Sequence, residues 1–325
     1  MPSTLQSTFS SGQRWAKVWP WVLGLCLTGC ATPQGSDPAP AEPNVVATST
    51  IIASLTAEVG GDDIQLTSLL RPGADPHVYE PVPQDSRALE QADLILYNGY
   101  NLEPGLIKLM KASGTQARQL AVGEVVTPLD LEKEGQKVPD PHVWGDVSNA
   151  IAMTEAIRDA LIEISPEDGD RFRQNADRLI QELRQLDAWV GDRIATIPPQ
   201  NRQLITTHDA FQYYANAYGL TIAGTLIGIS TEEQPSAQTV QRLVQAIQQT
   251  GVPAIFAETT INPQLITTVA EEAKVQLADP PLYSDSVGAP GTPGDSYLKM
   301  IVSNTRSIVK ALGGQDAPFP ASPTN

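Results

Sequence analysis

The tetrapeptide DPHV occurs twice, at 75–78 and 140–143, in a chain that contains three histidines. The third histidine, His208, stands in LITTHDAF at 204–211. His77, His142 and His208 all fall in stretches with loop composition. His77 and His208 follow runs that read as strands, and strand ends are where α/β sheets assemble ligand sites. A neutral imidazole is a borderline ligand suited to zinc, manganese, iron or copper, and it needs an acceptor to orient its second nitrogen. In each DPHV the proline fixes φ just before the histidine, and Asp75 and Asp140 can act as turn acceptors or as partners of the ring. One ligand-presenting loop is used twice. A lone histidine is more often a hydrogen-bonded structural residue, but three of three in loops points to metal ligation.

Such loops need a scaffold, and from Val45 onward short β-like runs alternate with helical ones. NVVATS is followed by a helical stretch with Ile51, Ile52, Leu55 and Val59 on one face. IQLTSLL at 64–70, a helix near 85–92, LILYN at 94–98, a helix from Pro104 and a strand around 119–122 follow. This alternation implies a parallel α/β architecture. A helix at 148–164 precedes SPED at 165–168, where Ser165 reads as an N-cap with a proline behind it. Phe172, Ala176, Leu179, Leu183, Leu186, Val190 and Ile194 then recur at spacings of three and four until Pro198 and Pro199. The spacing predicts a helix of about thirty residues, roughly 45 Å long. Strands at 203–207, 221–227, 254–257 and 275–277 alternate with helices from Asp209, at 236–250, from Pro263 and at 295–312. The expected fold is α/β: two Rossmann-like lobes, each a mostly parallel sheet flanked by helices, joined by one long rigid backbone helix. A single rigid connection argues against a large hinge closure.

The first thirty residues are a separate object. Arg14 and Lys17 precede the apolar run VWPWVLGLCL at 18–27, which is far short of the about 20 residues that span a bilayer, and LTGC follows at 27–30. This reads as an export signal ending in a lipobox, with acylation of Cys30 as the membrane anchor. The remaining cysteine, Cys26, leaves with the signal, so no disulfide is expected. Residues 31–43 (ATPQGSDPAPAEP) have tether composition. The formal charge is −16, which repels nucleic acid and anionic lipid and favours cations. The expected division is a signal at 1–29, a tether at 30–43, an N-terminal lobe at 44–164, the linking helix at 165–198, a C-terminal lobe at 199–316 and a disordered tail at 317–325.

PGADPHVYEP at 72–81, DPHVW at 140–144, THDAFQYY at 207–214, GISTEEQPS at 228–236, FAETT at 256–260 and LYSDSVG at 282–288 together resemble the cluster A-I metal-binding lipoproteins. These are solute-binding components of bacterial ABC importers for manganese and zinc, and the resemblance runs from 45 to 312. It implies His77 and His142 from the first lobe, His208 as third ligand and Asp285 as fourth. Glu258 is a residue that orients a ligand, an alternative oxygen ligand, or a strand-end acid. Asp209 reads as a helix N-cap. The resemblance further implies an exported, lipid-anchored monomer outside the cytoplasm that delivers Mn2+ or Zn2+ to an ABC membrane permease.

Nitrogen-rich ligation favours zinc over manganese by the Irving–Williams order. Against a dedicated zinc scavenger stands the stretch 123–140, which lacks the histidine-rich loop such proteins frequently carry. Two other classes compete. A metallohydrolase would need an open coordination position and a general base such as the one in HExxH, a motif this chain lacks. A surface adhesin on the same fold finds no repeat or apolar patch in the sequence to support it.

Overall fold

The computed structural model describes residues 42–113, 116–133 and 136–320. The export signal, Cys30, the tether up to residue 41 and residues 321–325 lie outside the described residues. Among the described residues no helix is long and apolar enough to cross a membrane.

Four parallel strands form the first sheet in the order β2-β1-β3-β4: β1 (Asn44–Ala47), β2 (Gln65–Ser68), β3 (Leu94–Tyr97) and β4 (Arg118–Ala121). The crossovers run through α1 (Thr50–Gly60), α2 (Pro83–Gln91) and α3 (Pro104–Ser113). Val45–Ala47 of β1 and Leu94–Leu96 of β3 are continuous buried apolar runs because helices cover both faces of a parallel sheet. Helix α3 sits close to the first histidine loop at Gly105, where a Cβ would lie 2.6 Å from the Tyr79 carbonyl oxygen. Only glycine permits that approach.

The second half repeats the scheme. Strands β7 (Gln203–Thr206) and β8 (Thr221–Thr225) pair in parallel, as do β9 (Ala254–Ile255) and β10 (Gln276–Leu277). The Phe256 N–H donates to the Ile205 carbonyl at 2.9 Å and joins the two ladders at β7 and β9. Helices α6 (Gln212–Tyr218), α7 (Ala237–Thr250), α8 (Gln264–Ala273) and α9 (Tyr297–Ala311) complete this half. Ser236 and Ser296 cap α7 and α9 by accepting from the N–H groups of Thr239 and Lys299.

Between the halves run α4 (Val147–Ile164) and the long α5 (Gly169–Ile194). The expectation of a helix beginning at the Ser165 cap is corrected. Pro166–Asp168 form a 3-10 turn, the Ser165 hydroxyl donates to the Asp168 carboxylate at 2.6 Å, and the α-helix begins at Gly169. The helix has 26 residues and ends before Pro198, which makes it about 39 Å long. A second difference is an antiparallel hairpin, β5 (Asp130–Lys133) with β6 (Gln136–Pro139), in a stretch without apolar alternation.

Helix α5 buries Phe172, Leu179, Leu183, Leu186 and Ile194 against α1, α4 and α9. Its stripe belongs to one apolar cluster that includes Val45 and Leu94 of the first sheet, Leu204 of β7, Phe256 beyond β9 and Ile308 of α9. The halves therefore share a core along the helix layer. Beyond α9 the chain folds back: Asp316 pairs with Arg306 of α9 through two hydrogen bonds of 2.9 Å, and Phe319 meets Trp189 of α5 edge to face. Leu183 is fully buried in the shared cluster, so Leu183→Ala is expected to cost about 2–5 kcal/mol. Denaturant unfolding checks this, and a single transition moved to lower denaturant is the expected form of the loss.

Candidate metal centre

The two DPHV segments fold into the same local turn. The Asp75 carboxylate accepts the His77 N–H at 2.9 Å, and Asp140 accepts the His142 N–H at 3.0 Å. Both are aspartate turns that close over two residues, which explains the spacing of Asp and His. The second oxygen of Asp75 reaches across to the other half and accepts from the Thr231 hydroxyl at 2.6 Å. Asp140 instead keeps to its own histidine, with its Oδ1 2.7 Å from His142 Nδ1. The His142 loop is held from behind by Asn98, whose side-chain amide donates to the Pro141 carbonyl at 2.9 Å. The Asn98 N–H and the Thr48 hydroxyl in turn donate to the fully buried Glu103, each at 2.7 Å.

His208 follows β7 and is held by Glu258, which follows β9. One Glu258 oxygen accepts the His208 N–H at 2.8 Å and the other meets His208 Nδ1. Asp285 lies in the loop after β10. The Asp209 carboxylate accepts from the Gln212 side chain at 2.8 Å, and α6 starts beyond it with no side-chain cap, so the expectation of an Asp209 N-cap is corrected.

With Nδ1 of His142 and His208 taken by carboxylates, their Nε2 atoms face a common point. His77 Nε2 is 3.2 Å from His142 Nε2, His142 Nε2 is 3.4 Å from Asp285 Oδ1, and His208 Nε2 is 3.2 Å from Asp285 Oδ2. One donor atom from each of His77, His142, His208 and Asp285 lies within 4.8 Å of every other, and all four residues are buried. Metal bonds of about 2.05 Å at tetrahedral angles separate their donors by about 3.3 Å. The three short separations match that figure. His208 Nε2 and both Asp285 oxygens are buried and accept or make no aligned hydrogen bond, which is costly unless a cation satisfies them.

The electrostatics agree. Burial opposes the His208 imidazolium, yet the carboxylates of Glu258 and Asp285 outweigh it and push this histidine well above its usual range. Burial likewise opposes the Asp285 anion, and the three imidazoles, His208 foremost, more than compensate and hold it well below the usual carboxylate range. His77 and Glu232 line two open cavities of about 620 and 570 Å³, whereas His142, His208 and Asp285 line neither.

Sequence reading did not single out Asn98, Glu103, Thr231 or Tyr213, although Tyr213 accepts from the Leu129 N–H and donates to the Asp140 carbonyl, both at 2.9 Å. The signal available was a polar residue at a strand end in NGYNLE, and tyrosines in a segment otherwise read for its histidine.

Fold and donors together define a class: two-lobed α/β binding proteins that enclose a small ligand between their halves. Within it, the chain belongs to the family described as "Zinc-uptake complex component A periplasmic", whose profile matches residues 45–311. It is 35% identical over 293 residues to the manganese-binding lipoprotein MntA of Bacillus subtilis, across 89% of this chain and 95% of that one. Over 275 residues it is 34% identical to the metal ABC transporter substrate-binding lipoprotein FimA of Streptococcus parasanguinis, across 82% and 88% of the two chains. The solved periplasmic zinc-binding protein TroA of Treponema pallidum matches with a TM-score of 0.79 at 34% identity, covering 84% of this chain and 99% of that one. The Mn-bound periplasmic metal-binding protein of Candidatus Liberibacter asiaticus matches at 0.74 with 25% identity, covering 82% and 98%.

Glu258 and Asp285 favour the protonated form of His208, so a cation taken by its Nε2 would displace that proton. Because that histidine titrates above the ordinary imidazole range, affinity for Zn2+ falls as pH drops through the raised value. Binding near neutral pH should release about one proton per ion. Calorimetry in buffers of different ionisation enthalpy reads the number directly, and zero release would contradict the assignment of His208.

Proposed function

We propose that this chain is the lipid-anchored receptor of a metal importer: it captures one divalent transition metal, Mn2+ or Zn2+, and delivers it to an ABC-type membrane permease. His77, His142, His208 and Asp285 are the ligands. Asp75, Asp140 and Glu258 orient the three histidines. The observation that carries this reading is the convergence of four buried donors within 4.8 Å. It is supported by relatives whose names specify manganese-binding and metal ABC transporter lipoproteins.

The protein is a binding component and not an enzyme. Four protein donors fill a tetrahedron, and catalytic metal centres keep one position open for water or substrate. The proposed mature chain starts at Cys30 outside the cytoplasm, anchored by its lipid, with the tether at 30–43 keeping the receptor near its permease. The proposed halves are 44–164 and 199–316, joined by the segment 165–198.

Three nitrogens and one oxygen bind zinc more tightly than manganese. Cellular supply then decides which ion the receptor carries. The test is metal analysis of the mature protein recovered from its native membrane, paired with zinc and manganese competition in vitro. The expected result is one divalent ion per chain, with zinc displacing manganese in the tube and binding lost in His208→Ala and Asp285→Ala. Native protein that holds no transition metal, and takes none up, would refute the reading.

A further inference from the structure

Two histidine ligands have a carboxylate on Nδ1, but Asp285 has no such support. Its oxygens face only the ligand imidazoles, with His142 Nε2 at 3.4 Å and His208 Nε2 at 3.2 Å, and the residue is buried. Its orientation therefore comes from the backbone of the loop that carries it. That loop belongs by chain position to the second half, where Tyr283 exchanges hydrogen bonds with Asn304 and the Ser284 hydroxyl lies 3.2 Å from that of Thr260, but the residues flanking Asp285 also bond to the first half. Trp144, two residues beyond His142, donates its indole N–H to the Ser284 carbonyl at 3.0 Å. The Thr50 hydroxyl oxygen, at the start of α1, accepts the Val287 N–H at 3.0 Å and lies 2.9 Å from the Ser286 hydroxyl. The Ser286 oxygen also accepts the Gly73 N–H at 2.8 Å, from the loop that leads to His77. Thr50, Trp144, Ser284 and Ser286 are all buried. Trp144 is itself fixed, because its carbonyl accepts from the Tyr297 hydroxyl at 2.7 Å.

From this geometry we infer that Trp144 and Thr50 are positioning residues that clasp the Asp285 loop from the opposite half, with Ser286 as the loop's own point of attachment, and thereby set how fast the ion leaves. The inference rests on Asp285 being a metal ligand. A carboxylate with no partner besides the ligand imidazoles keeps its aim only while the flanking peptides are held at Ser284 and Val287, on both sides of it. Loosening either side lets the carboxylate swing away while the three imidazoles stay in place, so dissociation is the step that responds. The Trp144 ring also packs edge to face on His142 at 5.5 Å, so phenylalanine is the informative replacement: it keeps a ring there and removes the N–H.

The test is stopped-flow dissociation of Zn2+ and of Mn2+ into excess chelator, with the visible spectrum of the Co2+-loaded protein as a record of ligand geometry. Wild type, Trp144→Phe, Thr50→Val and Thr50→Ser are compared. Melting in excess chelator reports the fold of each. Trp144→Phe and Thr50→Val are expected to accelerate dissociation on the order of 10-fold and to alter the Co2+ bands. Thr50→Ser, which restores the hydroxyl, should behave as wild type. Unchanged rates, or Thr50→Ser as fast as Thr50→Val, overturn the clasp. Lower melting with unaltered Co2+ bands also overturns it, since that is general destabilisation. Wild-type protein that takes up none of these ions overturns the functional reading and the clasp together.

Discussion

Three imidazoles and a carboxylate, all buried and aimed at one point, form an arrangement that no local stretch of chain can hold. The four residues come from four separate loops, and each donor must be kept from finding an easier partner. Three further carboxylates, Asp75, Asp140 and Glu258, each accept the backbone N–H of one of the histidines. They fix the loops and also concentrate negative charge in a buried space, where unpaired charge is costly. The same anions that organise the histidines thus make the centre demand a cation. Structural rigidity and cation affinity come from one set of groups.

The rest of the molecule serves that convergence. Parallel sheets place the His77, His208 and Asp285 loops beyond strand carboxyl ends, as open α/β sheets do for ligands generally. The apolar cluster along α1, α4, α5 and α9 continues from one sheet to the other. A gap between separately packed lobes would leave the donors at the mercy of lobe motion. Here the halves are tied both by that shared core and by polar links, such as Asp75 to Thr231 and Tyr213 to the Asp140 carbonyl.

Much of this was legible in the sequence, and for physical reasons. The three-and-four spacing along α5 gave the linking helix, since its stripe has a single job of burial. The repeated DPHV gave two histidine loops because the Asp turn and the proline act locally. The antiparallel hairpin of β5 and β6 was not legible, since segments such as DLEK and QKVP present no apolar face to alternate. The start of α5 was misread because the Ser165 hydroxyl found Asp168 instead of a backbone N–H. Asp285 could not be chosen from 37 acidic residues by its own neighbourhood, and its place in the centre rested on family resemblance. The contacts of its loop join residues 140 and 237 positions apart in the chain, and nothing local encodes such distances.

The two open cavities at Glu232 are lined by His77 and by none of the other three donors. In the proposed receptor His77 would therefore be the donor nearest to solvent, while the residues that aim Asp285 act from the enclosed side. Admission of an ion and its residence would then answer to different residues, so that one could be tuned without compromising the other.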